Sequence, residues 1–159
     1  MIENHVTSLE LSKKLKELGV KQSSFFYWTE TDNAAGTGYD AYVFSGEDAM
    51  AWASPFRYSA FLSSELGELL PPKIDIENGD KQFTNGGIWK EEAHLVCGKF
   101  KTPEPLQAWY CDYQIYRPKP YDKQFELYHG EKAVTEADAR AKMLIYLIQQ
   151  RLVNTEDKK

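Results

Sequence analysis

The last quarter of the chain constrains the fold most. Ala137, Ala141, Leu144, Ile148 and Leu152 recur at i, i+4, i+7, i+11 and i+15, the spacing of one helical face. Within that stretch residues 143–148 read Met-Leu-Ile-Tyr-Leu-Ile, apolar nearly all round, so a helix here cannot leave one side in water and must be the most enclosed element. Thr135 followed by Asp138 supplies its start, a hydroxyl placed to accept from the free amides of the first turn. A helix of this kind needs a broad apolar surface to lie across, and the β-prone segments before it can supply one as a sheet.

Those segments have the period of strands. Over residues 106–116, Trp109, Cys111, Tyr113 and Ile115 fall on one face, while Tyr110, Asp112, Gln114 and Tyr116 fall on the other. Residues 94–100 pair with this strand across a turn at 101–105 that contains Pro103 and Pro105. Cys97 and Cys111 flank that turn at similar distances, which sets them nearly opposite on the hairpin. With no CxxC and no His at ligand spacing, neither a zinc site nor a redox motif is encoded; in a reducing cytosol two reduced, half-buried thiols are expected, with a disulfide between them the lesser alternative. Residues 73–77 alternate around Ile74 and Ile76, and Asn78-Gly79 and Asn85-Gly86-Gly87 are turn signals. Pro118 and Pro120 interrupt the pattern, residues 124–128 suit a short edge strand, and His129-Gly130 reads as a turn. Earlier, the aromatic run 23–29 and residues 39–44 form a hairpin whose tip is the Gly- and Asp-containing stretch 30–38.

Two further helices are expected. Thr7 and Glu10 have the spacing of a capping box, Val6 can staple onto Leu11, and Leu11, Leu15 and Leu18 make a stripe that Gly19 closes. Residues 54–70 return to helical spacing through Tyr58, Phe61, Leu62, Leu66, Leu69 and Leu70 before Pro71-Pro72 stops them. The fold class that follows is α+β: one domain over residues 1–153, an antiparallel sheet of about five strands with two or three helices packed against it, and a frayed polar tail at 154–159.

Charge narrows the function. The 159 residues carry a net charge of -5, and no Lys or Arg interleaves the aromatic sheet face, so binding to nucleic acid is disfavoured. The apolar run at 143–148 is far short of the roughly 20 residues that span a bilayer, and the N-terminus lacks a basic region followed by an apolar core. A soluble cytoplasmic protein without a membrane role is expected. No nucleophile elbow, zinc-protease helix, phosphate loop or dinucleotide fingerprint is present, and no cofactor or metal is expected.

Scattered groups remain. Of the three histidines, His94 is the candidate for acid–base work, because Glu91 and Glu92 stand beside it. Glu65 and Glu68 share a helix face at i, i+3, a spacing that can present two carboxylates to one ligand. Together Glu65, Glu68 and His94 define one hypothesis, a hydrolase of a small phosphate or nucleotide. The other starts from the 22 Phe, Trp and Tyr side chains, which serve cores and interfaces alike. It places a binding surface on Tyr110, Asp112, Gln114 and Tyr116, opposite the Trp109 face, for a protein partner or a second copy of the chain.

Lys16-Glu17-Leu18-Gly19 leads into an aromatic strand at residues 25–28, Ser64-Glu65-Leu66-Gly67-Glu68-Leu69-Leu70-Pro71 follows, and Ala137-Asp138-Ala139 opens a Leu- and Ile-rich helix. This order of segments resembles a diffuse group of small phage- and prophage-encoded proteins of uncharacterised function. The likeness covers most of the chain, but its motifs are helix caps and core positions, which specify a fold and no reaction. It implies a protein of a mobile genetic element and offers no activity, catalytic residue or cofactor to carry over; with the abundant aromatics and the missing reaction signatures, the leading expectation is a non-enzymatic interaction module in the bacterial cytoplasm.

Overall fold

The computed structural model of the protein describes residues 2–32, 39–45, 57–77, 90–100, 109–116 and 125–154. Residues 33–38, 46–56, 78–89, 101–108 and 117–124, which include most of the expected hairpin tip, the expected helix start at 54–56 and the expected turns, lie outside these described residues, as does the tail beyond 154. The architecture is α+β. Among the described residues, helices α1 (Leu9–Glu17), α2 (Ser63–Leu69) and α3 (Glu136–Gln149) accompany seven strands: β1 (Phe26–Asp32), β2 (Tyr39–Ser45), β3 (Arg57–Ser59), β4 (Lys73–Glu77), β5 (Lys90–Lys99), β6 (Trp109–Tyr116) and β7 (Phe125–Ala133).

Where the sequence predicts one sheet of about five strands, the strands form two antiparallel sheets, of order β2-β1-β3 and β4-β5-β6-β7. The reason lies at residues 57–62. The spacing of Tyr58 and Phe61 predicts a helix beginning near residue 54, but Arg57–Ser59 pairs with β1 instead, Trp28 opposite Tyr58. The helix begins only at Ser63. A β-branched and aromatic neighbour strand offers a backbone ladder to a segment whose own helical propensity is unremarkable, and the ladder prevails.

α3 is the centre of the molecule. Thr135 Oγ1 accepts from the Asp138 amide at 3.1 Å, forming the expected start. Ala137, Ala139, Ala141, Met143, Leu144 and Leu147 are buried. They pack against Ala93, Cys111, Tyr113 and Ile115 of the four-stranded sheet on one side and against Leu15 and Leu66 of the other helices. The small alanines let the helix approach the sheet closely while the larger residues fill the space beyond. The Tyr113 hydroxyl donates to the Pro71 carbonyl at 2.5 Å, and burial pushes its phenol well above the ordinary range.

α1 ends as expected. Gly19 has φ 81°, Val20 N–H reaches the Leu15 carbonyl and Gly19 N–H the Lys16 carbonyl, both at 3.0 Å, which is the paired bonding of a Schellman stop. α3 closes in the same way around Arg151, whose φ is 58°.

The start of α1 differs from expectation. Ser8, not Thr7, is the capping position, and its side chain makes no cap bond. Thr7 is fully buried, and its hydroxyl accepts from the Phe61 amide at 3.0 Å and bonds Ser12 Oγ at 2.7 Å. Its backbone amide donates to the Phe61 carbonyl, and its carbonyl accepts from Trp28 Nε1 at 2.7 Å. Thr7 therefore bolts the α1 entrance to the segment between β3 and α2. Val6 is also buried, in a bridge with Leu62.

Candidate functional site

The four-stranded sheet has two unlike faces. Ala93, Cys111, Tyr113 and Ile115 turn toward α3 and are buried, while the intervening residues point away from it. Register assembles that outer face in rows. Gly98, Tyr110 and Lys132 lie side by side across β5, β6 and β7, next come Val96, Asp112 and Gly130, and then His94, Gln114 and Leu127, with Lys73 of β4 beyond His94.

Two glycines shape the surface. A Cβ on Gly98 would lie 2.6 Å from the Tyr110 hydroxyl oxygen, and one on Gly130 would lie 2.5 Å from Asp112 Oδ1. The missing side chains thus let Tyr110 lie down over β5 and Asp112 lean over β7. Tyr110 also meets the Phe100 ring, 5.3 Å between centroids, and Lys132 Nζ sits 5.1 Å from the centre of Phe100. The aliphatic groups are left standing: Val96 is 36% exposed and Leu127 58%.

Partial burial raises the Asp112 carboxyl above its ordinary range, against the opposing pull of Gln114, Lys132 and His129. The fold therefore holds a proton on this group more tightly than the unfolded chain does. Its contribution favours folding at low pH and is lost as pH rises from the ordinary carboxylate range through the raised value. Asp112→Asn is expected to gain stability relative to the parent at pH 7 and to gain less at pH 3, read from urea midpoints. An equal difference at both pH values would contradict this assignment.

The residues expected to be functional divide between two places. Tyr110, Asp112, Gln114 and His94 come together on the outer face, with His94 directly opposite Gln114. Tyr116 continues β6 in the same register, and its side chain lies outside the described residues. The sequence groups His94 with the acids, yet pairing Cys97 with Cys111 already implies His94 with Gln114, so the signal for this placement is present in it. The carboxylate beside His94 is engaged elsewhere: Glu92 Oε1 meets Lys73 Nζ at 2.8 Å, and that lysine holds the Glu92 carboxyl below its ordinary range.

Glu65 and Glu68 are elsewhere. They ride on α2, which packs against α3 and thus stands on the other side of the sheet from His94. Glu65 is consumed by local bonds: Oε2 accepts from the Leu62 amide at 2.7 Å and from Ser24 Oγ at 2.8 Å, and Oε1 accepts from the Phe25 amide at 3.0 Å. It caps its own helix and anchors the approach to β1. Glu68 is exposed. The structure does not bring these two acids to His94.

His129, expected in a turn, lies inside β7, where the register shifts between Tyr113 and Gln114. An extra residue on β7 at this bulge lets the ring turn inward and stack on Tyr146, 3.4 Å between centroids and 5° from parallel, with Nε2 2.8 Å from Glu131 Oε1. Nearby, an open groove of about 540 Å³ runs between α1 and α3, walled by Lys13, Lys14, Glu17, Glu131, Lys142 and Tyr146. Both cations and anions line it, so it focuses no single charge on a ligand. Among the described residues, no three His, Cys, Asp or Glu are grouped to hold a metal ion, and no helix is long and apolar enough to cross a membrane.

No family model, curated protein or solved structure matches the chain.

Proposed function

We propose that this protein is a non-enzymatic interaction module of a phage or prophage, acting in the bacterial cytoplasm, and that it grips a protein partner with the outer face of the β4-β5-β6-β7 sheet. One observation carries the reading. On a sheet whose other face is packed by a helix, the outward positions of a simple solvated surface are polar. Here Val96 and Leu127 stand exposed on either side of Asp112, next to a Tyr110 ring laid flat over Gly98. Aliphatic anchors beside a rigid aromatic, with a carboxylate and a lysine at hand for orientation, have the make-up of an interface centre with a polar rim. The phage assignment rests on the resemblance in segment order. The hydrolase alternative gains nothing from the arrangement, because Glu65 is bound to backbone amides and His94 faces the other way.

Replacing Val96 by Thr and Leu127 by Lys keeps the strands competent and removes the anchors. The double variant is expected to keep the parent's thermal midpoint within a few degrees and to bind the partner about 10- to 100-fold more weakly. The check is parallel affinity capture on parent and variant from the cells that make the protein. A polypeptide held by the parent and depleted at least tenfold on the variant supports the reading. Equal capture on both, or none on either, overturns it.

A further inference from the structure

Cys97 and Cys111 are the chain's two cysteines, and the β5–β6 register sets them directly opposite one another. Residues so paired have Cα atoms about 4.5–5.5 Å apart, within the roughly 4.4–6.8 Å that a disulfide spans. Both are present as free thiols, and their sulfurs are in contact, 2.7 Å apart. The two differ in access. Cys111 is fully buried under α3, whereas Cys97 is half-buried. They differ in acidity as well. The contact between the two sulfurs lowers the Cys97 thiol, with the Arg140 guanidinium assisting, while the same contact and burial raise Cys111. Arg140 is itself fixed by Glu136, at 2.9 Å from Nε and 2.7 Å from Nη2.

We propose that Cys97 and Cys111 form a reversible dithiol–disulfide site whose oxidant is a small disulfide of the glutathione class. The Cys97 thiolate attacks one sulfur of the oxidant, forming a mixed disulfide and releasing one small thiolate. Cys111, a contact distance away, then attacks Cys97 Sγ and expels the second small thiolate. The two protons of the protein thiols end on the two small thiols, and the two electrons pass from the protein pair to the oxidant. The new bond ties β5 to β6 directly beneath the strands that carry Val96, Tyr110 and Asp112. The site stands independently of the interaction surface.

The experiment exposes the folded, reduced protein to oxidised glutathione, then denatures it, alkylates free thiols with iodoacetamide and weighs the intact chain. The parent is expected to lose two hydrogens and take no alkyl group, and excess reduced glutathione is expected to restore both thiols. Cys111→Ser removes the resolving sulfur, so one glutathione adduct is expected to persist on Cys97. Cys97→Ser leaves only the buried thiol and is expected to be alkylated once, without adduct. Alkylation of both cysteines in the oxidised parent, a bond found only between chains, or a disulfide that excess reduced glutathione does not reopen would overturn the proposal.

Discussion

Leu147→Ala is expected to cost about 3 kcal/mol of folding stability. Leu147 is fully buried on α3, in one cluster with Leu15, Leu66, Tyr113 and Met143. Truncation forfeits the transfer of three carbon atoms out of water. It also opens a cavity that the surrounding elements cannot close, because α1, α2 and the sheet all rest on the same helix. For a chain of this length the thermal midpoint is expected to fall by roughly 6–12 °C. Gln150→Ala, at the exposed end of the same helix, is expected to change stability by less than about 0.5 kcal/mol. Denaturant unfolding of the two variants checks both numbers. A loss below about 1 kcal/mol for Leu147→Ala would mean that α3 is not the packing centre.

Thr7→Val is the second large effect, and it separates two readings of the same threonine. As a helix cap, Thr7 would have its role filled from within its own turn. As the bolt to Phe61 and Ser12, its hydroxyl satisfies a buried amide across the chain and a buried serine one turn away. Valine keeps the shape and removes the oxygen, leaving both partners buried without their bond, for an expected cost of about 2–3 kcal/mol. Thr7→Ser keeps the oxygen and removes a methyl, for about 1 kcal/mol. Ser8→Ala is expected to be nearly silent, since the Ser8 side chain makes no cap bond. Urea midpoints should therefore place Thr7→Val lowest and Thr7→Ser above it, with Ser8→Ala close to the parent. Serine and valine costing the same at this position would contradict the bolt.

Leu147 and Thr7 also mark how far the sequence carries. The α3 start at Thr135, its nearly all-round burial and the Gly19 stop are legible, because each depends on neighbours within a turn or two. The two faces of β6 are legible because strict alternation needs only the strand itself. The role of Thr7 is hidden because its partner Phe61 is 54 residues away. The helix expected from residue 54 fails for the same reason, since β3 exists only where β1 lies alongside. At the site, Tyr110, Asp112 and Gln114 can be placed on one face from the sequence, but their posture cannot. That posture depends on Gly98 and Gly130 in the flanking strands, and so on register. The i, i+3 spacing of Glu65 and Glu68 is a true helical feature with a different use, because nothing in the sequence shows that the Phe25 amide, 40 residues away, comes to Glu65.

If the outer sheet face is the contact surface, as proposed, a crosslinker placed on it captures the partner. An aliphatic photo-crosslinking amino acid that keeps the apolar character of the anchor is placed at Leu127 and, in a separate chain, at exposed Gln150, and both are irradiated in the cells that make the protein. A discrete adduct of one added polypeptide is expected from position 127 and none from position 150. Adducts from both positions alike, or from neither, would contradict the proposal.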